Sequence, residues 1–291
     1  MSIIEINQET CSKCGICVLN CPVPIYFQRT KQSIPEMTNK ALCISCGHCV
    51  AICPNNAIKH SDFPEGSIIP IGPNNIASAS ELIKLIRTRR SATVFSDTVV
   101  EKQMIEDIIE AARFAPSFAN LQTTEFIVVQ NKEILGELNQ AEGRYLEKFL
   151  KQLGNPLMKR IIFLAMGKQA QNAKEVLLPQ AKYEIAGFQK GEYSFLRNAP
   201  LLILFHGDER IMSVDVNALL AVQNAALMAH ALGLVCFYTG SLMGVSQRDK
   251  SIGQLVSLPE HHKIYGGLAI GHPRFVYKNW IERKKPKITW L

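Results

Sequence analysis

Cysteine is almost absent from most of the chain. Only Cys236 lies beyond residue 53, although the chain has nine cysteines, and the other eight fall within residues 11–53. The first ten residues have neither the basic start nor the apolar run of a secretory signal, so we expect a cytoplasmic, reducing environment. Disulfides are then disfavoured, and eight thiols in so short a segment favour metal binding.

Long uninterrupted apolar runs are also missing. Residues 216–247 carry no Asp, Glu, Lys or Arg, but Asn217, Gln223, His230 and Gly233 interrupt this stretch. A buried helix followed by a buried strand fits such a sequence better than a bilayer span. We therefore expect no association with a membrane.

Acidic residues are scarce at the C-terminus. The net charge is +7, and residues 272–291 carry six basic side chains against Glu282 alone. This run lacks the length and the interleaved aromatic residues of a convincing nucleic-acid-binding tail, so no nucleic-acid partner is expected. A site for an anionic cofactor is the more specific interpretation of this basic run.

The chain divides by composition into three parts. Residues 1–60 hold all the clustered cysteines, and residues 61–79 are rich in proline and glycine, which is typical of an extended linker. Residues 80–291 alternate loosely between amphipathic helices and short apolar strands. We predict an α+β protein, in which a small domain of residues 1–60 precedes a larger sheet domain of residues 80–291.

Two cysteine runs form the only internal repeat. "CSKCGICVLNCP" begins at Cys11 and "CISCGHCVAICP" begins at Cys43, and both match the spacing C-x2-C-x2-C-x3-C-P. In this pattern three close cysteines bind one [4Fe–4S] cluster and the fourth binds the other cluster. The predicted ligands of the first cluster are Cys11, Cys14, Cys17 and Cys53. Those of the second are Cys21, Cys43, Cys46 and Cys49.

Zinc is the alternative to iron–sulfur clusters. Zinc ribbons use C-x2-C pairs rather than triplets, which disfavours zinc. Gly15 and Gly47 repeat at the same offset, where the backbone has to pass close to a cluster. Residues 5–60 resemble the two-cluster bacterial ferredoxins, and this resemblance implies electron transfer without naming its destination.

Four segments of the larger domain carry polar groups suited to a flat, phosphorylated ligand. "RTRRSATVF" offers guanidinium groups and a hydroxyl, which can hold a phosphate, although a solvated basic helix end is the simpler alternative. "AARFAPSFANLQTTEF" places amides before a strand. "GLVCFYTGSL" runs into Gly240, where a ligand can approach the backbone. "GHPRFVYKNWIERKKPKITWL" adds further basic residues.

The order and spacing of these segments resemble the nitroreductase family of FMN enzymes. The family pattern R-R-S-x-R-x-F corresponds to Arg89 through Phe95, and A-P-S-x-x-N-x-Q corresponds to Ala115 through Gln122. Residues 229–233 and 271–285 match the later parts of the pattern. The whole chain resembles ferredoxin–nitroreductase fusions of anaerobes, which implies a nitroreductase-like mixed sheet flanked by helices.

The resemblance also implies the FMN-binding residues. We expect the phosphate near Arg89, Arg90 and Ser91, with Arg283 and Lys285 closing on it. Asn120 is expected at the pyrimidine edge, with Gln122 nearby. Pro116 and Ser117 are expected to face the flavin of a partner subunit in an intertwined homodimer, and the Thr239 and Gly240 amides are expected near flavin N5.

The sequence departs from the family pattern at several places. Thr93 stands where many members have a cation, so reduction of FMN is expected to be harder unless Arg87 substitutes. Thr123–Thr124 replaces the common Pro-Trp, and residues 142–191 occupy the variable lid region. Cys236 is interpreted as a small core residue, and His261–His262 as a solvated loop without a role.

Two functions remain open from the sequence. The first is an oxidoreductase that passes electrons from two [4Fe–4S] clusters to FMN and on to a nitroaromatic, quinone or activated alkene, with no indispensable catalytic side chain. The alternative is an electron-transfer or redox-sensing module that relays electrons through FMN to a protein partner. Reduced ferredoxin or NAD(P)H is the expected donor, although no separate dinucleotide fingerprint occurs.

Overall fold

The computed structural model describes residues 3–72 and 75–291. The chain separates into two compact units. The first contains the described residues up to Ser78 together with Ala119–Leu121. The second contains Ala79–Phe118 and Gln122–Leu291. The sequence predicts a linker over residues 61–79, and the described part of that stretch up to Ser78 groups with the first unit. The sequence gives no sign that three residues from the middle of the chain join the first unit.

The first unit is built from very short elements. They are β1 (Ile4–Ile6), α1 (Ile16–Asn20), β2 (Tyr26–Phe27), β3 (Glu36–Met37), α2 (His48–Ile52) and β4 (Ile58–His60). Strand β1 pairs antiparallel with β4, and β2 pairs antiparallel with β3. Ile4, Ile25, Val50 and Ile58 form a small buried core. So little apolar area is marginal for an independent fold, which is why such a unit usually depends on bound metal.

The second unit combines helices with a four-stranded sheet. Its first elements are α3 (Ala79–Thr88), α4 (Lys102–Arg113), β5 (Glu125–Val129), α5 (Lys132–Gly154), α6 (Pro156–Ala165), α7 (Ala170–Asn172) and α8 (Leu178–Gln189). Its later elements are β6 (Leu201–Asp208), α9 (Val214–Ala231), β7 (Val235–Tyr238), α10 (Gly240–Ser246), α11 (Lys250–Leu255) and β8 (His262–Gly271). The predicted α+β class is confirmed.

The strands of this sheet lie in the order β5-β6-β8-β7, and each neighbouring pair is antiparallel. A single parallel bridge, between Ser91 and Cys236, adds the segment after α3 to the free edge of β7. The register between β6 and β8 shifts between Phe205 and His206. This irregularity lies at the end of the sheet where β6 finishes and β5 and β8 begin.

Strand β6 is buried on both faces. Leu201, Ile203 and Phe205 pack into one core with helices α4 and α9. Leu202 and Leu204 point the other way, into a second core with α5, α10 and α11. Full burial of each such side chain contributes about 1.5–3 kcal/mol, so this strand anchors both layers of helices. Burial on two faces also explains why its sequence is continuously apolar rather than alternating.

Helix α9 is the predicted core helix. Its alanines at 218, 225 and 229 are fully buried, and the helix ends where Gly233 adopts φ 79°. There the backbone N–H groups of Gly233 and Leu234 donate to the carbonyls of His230 and Ala229, which closes the helix end. Within the described parts of the chain, no helix is both long and apolar enough to cross a membrane.

Cys236 and the pair His261–His262, which lie outside the predicted sites, behave differently. Cys236 is 3% exposed, as expected of a core residue, and burial raises the pKa of its thiol to about 11. The interpretation of His261–His262 as a solvated loop is wrong for His262. This residue begins β8 and contacts the buried His206, because the strand extends further towards its N-terminus than the apolar run "YGGLAIG" indicates.

Candidate functional site

The structure gathers the eight clustered thiols around two cavities of the first unit. Cys11, Cys14, Cys17 and Cys53 line one cavity. Cys21, Cys43, Cys46 and Cys49 line the other. These groups are the two ligand sets that the sequence pattern predicts, with the fourth cysteine of each run lying beside the other run. Four converging thiols suit an iron–sulfur cluster.

Glycine sets the backbone at both cavities. Gly15 and Gly47 precede α1 and α2 with φ of 71° and 72°, in the left-handed region that other residues adopt only with strain. A Cβ atom at Gly15 would lie 2.6 Å from Oε1 of Gln28. A Cβ atom at Gly47 would lie 3.2 Å from the ring of Phe63. The positive φ therefore favours glycine in the repeated C-G-x-C, and the nearby side chains add to that preference.

Hydrogen-bond donors lie near two of the sulfur atoms, those of Cys43 and Cys53. The backbone N–H of Ala57 donates to Sγ of Cys53 over 3.2 Å, and that of Ser45 donates to Sγ of Cys43 over 3.4 Å. Nε2 of His60 lies 3.6 Å from the same Cys43 sulfur. Donors of this kind stabilise thiolate ligands and tune the electron affinity of a bound cluster.

Burial opposes ionisation of some of these thiols. It raises the pKa of Cys17 to about 11 and also raises the pKa of Cys49. Cys14 is the opposite case, because the backbone N–H of Ile16 lowers the pKa of its thiol. Metal binding to the buried thiols therefore has to displace their protons. We expect protons to be released when a metal cluster assembles in either cavity.

The predicted phosphate segment lies along the edge of the second unit's sheet. The backbone N–H of Ala92 donates to the carbonyl of Cys236 over 3.1 Å, beside the bridge that Ser91 makes to the same residue. Phe95 bridges to Pro273 and stacks on Phe237. Arg89, Arg90 and Ser91 are thus held at the C-terminal end of α3 by strand-like contacts, and not only by the helix.

Arg90 has a buried side-chain nitrogen, Nη2, without a hydrogen-bond partner among the described residues. A buried guanidinium nitrogen without a partner is costly, so an anionic ligand is the expected occupant of this position. Thr93 is exposed, whereas the guanidinium of Arg87 lies over the ring of Trp280, 5.6 Å from its centroid.

A buried asparagine fixes the loop before β5. Asn217 of α9 accepts a hydrogen bond from the backbone N–H of Phe118 and donates to the hydroxyl of Thr123. The hydroxyl of Ser117 accepts from the backbone N–H of Gln122 over 2.9 Å. Sequence reasoning missed Asn217 as a site residue. The one available signal was an amide inside an otherwise apolar helix, which has to find a partner when it is buried.

Asn120 makes contacts in the structure that the sequence did not indicate. Its Nδ2 atom donates within the first unit, to the carbonyls of Ile44 and Ser45 at 3.1 and 2.8 Å. Ala119 and Asn120 reach these carbonyls by adopting positive φ, of 48° and 56°. Since both amide hydrogens are engaged, only Oδ1 of Asn120 is left for a further ligand in this arrangement. Gln122 is exposed and also has a positive φ of 50°.

Thr239 and Gly240 lie where β7 passes into α10. Thr239 is buried, and its hydroxyl has no hydrogen-bond partner among the described residues. Its backbone N–H donates to the carbonyl of Gly267 over 2.9 Å, and Gly267 needs to be glycine because a Cβ atom would meet the Thr239 hydroxyl. The backbone of Gly240 begins α10, so its N–H has no partner inside that helix.

The basic tail has no regular secondary structure. Arg283 and Lys285 are both exposed within residues 272–291. The tail follows Gly271, and packing explains why this position is glycine. A Cβ atom at Gly271 would lie 2.8 Å from Phe95 and 2.9 Å from Pro200. Glycine at 271 therefore lets the tail leave β8 against the segment that follows Arg89–Ser91.

A buried carboxyl group lies beside the start of α10. Glu142 of α5 is 1% exposed, its Oε2 has no hydrogen-bond partner among the described residues, and the Ser241 hydroxyl is within hydrogen-bond reach. Burial raises the pKa of Glu142 to about 7, and the nearby charge of Glu184 adds to the shift. The sequence placed this residue at the edge of a variable lid and gave no indication that it is buried.

Glu142 is expected to make stability depend on pH. Its pKa is about 7 in the folded protein, against 4.5 for a glutamate side chain exposed to water, so between these values the folded state holds a proton that the unfolded state has lost. Stability should therefore fall as pH rises from about 4.5 to 7. Glu142→Gln should be more stable than the wild type at pH 8, by on the order of 3 kcal/mol, and nearly equal to it at pH 4.5.

Urea unfolding of the anaerobic protein across this pH range measures the difference. Glu137→Gln, an exposed position of the same helix, is the matched control. Parallel pH profiles for the wild type and Glu142→Gln would contradict the assignment.

Comparison with known proteins agrees with this division of the chain. The 4Fe-4S dicluster domain matches residues 10–58, and the Nitroreductase family matches residues 86–272. An FMN reductase [NAD(P)H] of Bacillus subtilis is 28% identical over 197 residues, which cover 67% of this chain and 66% of that protein.

Solved structures show the same fold. A nitroreductase with bound FMN from Desulfitobacterium hafniense superposes with a TM-score of 0.53 at 23% identity, covering 72% of this chain and 98% of that one. A nitroreductase with bound FMN from Bacteroides fragilis gives a TM-score of 0.52 at 21% identity, with the same coverage. Because the family match extends over more than half of its residues, the chain belongs to the nitroreductase family, with a 4Fe-4S dicluster domain preceding the family's domain.

Proposed function

We propose that this oxidoreductase passes electrons through two [4Fe–4S] clusters to FMN and on to a small electron-poor acceptor, such as a nitroaromatic, a quinone or an activated alkene. The observation that carries the proposal is the union, in one chain, of two cavities each lined by four thiols with a nitroreductase-family unit. Neither part alone distinguishes an enzyme from a carrier. A reducing cytoplasm suits the eight free thiols.

The ligand assignment of the clusters follows the two cavities. Cys11, Cys14, Cys17 and Cys53 would hold the first cluster, and Cys21, Cys43, Cys46 and Cys49 the second. The backbone donors of Ala57 and Ser45 would then hydrogen-bond to ligand thiolates of the first and the second cluster, respectively. These donors would stabilise the more negative, reduced form of each cluster.

The residues of the second unit fit FMN. Its phosphate would occupy the position that the buried Nη2 of Arg90 leaves without a partner, with Arg89 and Ser91 beside it. The Thr239 and Gly240 amides would lie at the ring, and Arg283 and Lys285 would close on the phosphate. Pro116, Ser117 and Gln122 would complete the site, whereas Thr93 brings no charge. Bound FMN can take up electrons singly and deliver them as a pair.

We further propose that the second unit forms a homodimer. The tail exposes Phe275, Val276, Ile281 and Trp290, each at 67% or more. Helix α9 also exposes Val216, Leu219 and Leu220. Apolar side chains at this density are typical of a surface that another subunit covers. In the proposed dimer Pro116 and Ser117 would face the FMN that is held mainly by the other subunit.

The acceptor would bind without forming a covalent bond to the protein. Thr123 and Thr124 stand where the family commonly has Pro-Trp, so a smaller and more polar wall is expected there. The chain's residues would orient the acceptor and exclude water, and no side chain is assigned as a nucleophile. Reduced ferredoxin or NAD(P)H is the proposed donor.

Anaerobic stopped-flow spectroscopy tests the function. We expect the purified protein to contain iron, acid-labile sulfide and FMN, and reduced FMN to be reoxidised rapidly by a nitroarene with formation of its reduction product. Mixing the oxidised protein with NADH, NADPH and reduced ferredoxin in turn would identify the donor. Iron without FMN would refute the proposal. Reoxidation only in the presence of a protein partner would show that the chain is a relay.

Replacement of Arg90 tests the phosphate site. A hydrogen bond to a charged group contributes roughly 1.5–3 kcal/mol, so Arg90→Gln should weaken FMN binding by roughly ten- to a hundredfold. Arg90→Lys should recover part of the affinity because it restores the charge but not the planar pair of donors. Arg113→Gln, an exposed arginine paired with Glu110, is the control. Equal affinities for all variants, measured by fluorescence titration, would contradict the assignment.

Tyr26 is expected to raise the potential of the second cluster. Its hydroxyl is buried near Cys49, has no oxygen or nitrogen partner among the described residues, and burial raises the pKa of the phenol. If the hydroxyl donates to the cluster ligand, a preference of about 1 kcal/mol for the reduced state corresponds to roughly 40 mV. Tyr26→Phe should therefore lower one of the two cluster potentials by about that amount.

A redox titration followed by electron paramagnetic resonance measures both clusters. Tyr183→Phe, an exposed tyrosine of α8, is the control. Two unchanged potentials, or an equal shift of both, would show that Tyr26 does not act on one cluster.

A further inference from the structure

Three metal-ligating side chains meet at one end of the four-stranded sheet, and the proposed electron path uses none of them. Glu125 begins β5, His262 begins β8, and His206 lies near the end of β6. Because β5 and β8 both run antiparallel to the intervening β6, their first residues lie at the edge where β6 finishes. The register pairs Glu125 with His206, and His262 with Asp208, two positions further along β6.

The three side chains are close enough to share one ion. Nδ1 of His206 and Nδ1 of His262 are 2.9 Å apart. One potential ligand atom of each of Glu125, His206 and His262 lies within 4.8 Å of the others. His206 is only 3% exposed, whereas Glu125 is exposed, so the cluster has one deeply held ligand and one side open to solvent.

We propose that Glu125, His206 and His262 bind a divalent first-row transition-metal ion. Two imidazole nitrogens at about 2.0–2.1 Å from one ion lie about 2.9 Å apart when the bonds meet at a right angle, and about 3.4 Å apart in a tetrahedron. The observed separation matches the right angle and needs only a small opening for the tetrahedron. Two imidazoles with one carboxylate form a ligand set that zinc and ferrous iron commonly use.

The neighbouring charges leave Glu125 available for the ion. Asp208 is held by Arg210 in a salt bridge, and Glu209 by Lys263. In the described part of the chain, Glu125 has no such ion pair. Without an ion, the short contact between the two histidines is a hydrogen bond in which one imidazole donates to the other. A bound ion would take the place of the proton that lies between the two imidazoles, and it would also bind the carboxylate of Glu125.

Occupation of the site would join three strands. It would link the start of β5 to the end of β6 and the start of β8, at the point where the β6–β8 register is irregular. Glu125 directly follows Thr124, so the ion would also restrain the end of the loop that Asn217 holds through Thr123. The inference does not rest on the proposed electron transfer, because all three ligands belong to the second unit and none is assigned to FMN or to a cluster.

Equilibrium dialysis of the anaerobic holoprotein against Zn²⁺ tests the site. The protein is first freed of loosely bound ions with a chelator, and zinc, iron and sulfide are then measured together. We expect one zinc per chain with the iron content unchanged. The exposed Glu125→Gln and the half-buried His262→Asn should each weaken binding by on the order of a hundredfold, since removal even of groups that only orient metal ligands costs 10–100-fold.

His261→Asn provides the matched control, because this neighbouring histidine faces Glu260 and is not part of the cluster. It should bind zinc like the wild type. Thermal unfolding of the same variants gives a second measurement, in which Zn²⁺ should raise the midpoint of the wild type and of His261→Asn only. The absence of zinc binding would overturn the proposal, and so would zinc binding that survives replacement of both Glu125 and His262. Zinc binding accompanied by loss of iron would also overturn it, because the zinc would then occupy the cysteine thiols.

Discussion

The burial of β6 on both faces is the constraint on which the second unit depends. A strand whose successive side chains all leave water needs a layer of helices on each side, and α4 with α9 and α5 with α10 and α11 supply them. The two layers then fix what lies at the ends of the strand. At one end Gly271 of the neighbouring β8 packs against Pro200 and Phe95. At the other end the strand becomes polar at His206 and Asp208.

Much of this arrangement could be predicted from the sequence. The cysteine spacing predicted which four thiols line each cavity, because cluster chemistry fixes both the residue type and the intervals. The apolar run of β6 and the Ala-rich pattern of α9 predicted buried elements because their composition fits few other environments. The phosphate-binding role proposed for Arg89, Arg90 and Ser91 came only from a resemblance, since arginines at a helix end are by themselves common on solvated surfaces.

The remainder depends on contacts between residues far apart in the chain. Asn120 donates to carbonyls about 75 residues away, and no local pattern indicates that partner. Asn217 and Glu142 were polar residues in helices whose burial depends on how the sheet is covered. His206 and His262 meet because β6 and β8 pair with a register shift, which no reading of either strand alone provides.

The two cysteine runs repeat more than their spacing. Gly15 and Gly47 have nearly the same φ, and each precedes a five-residue helix, so the local backbone of the two runs repeats as well. Such a duplication by itself would place the two thiol sets in equivalent surroundings. The neighbouring side chains remove that equivalence, since Gln28 faces the first glycine, whereas Phe63 faces the second and His60 and Tyr26 approach the sulfurs of that second set. The chemical environment of each thiol set is therefore decided by side chains outside the repeated motif.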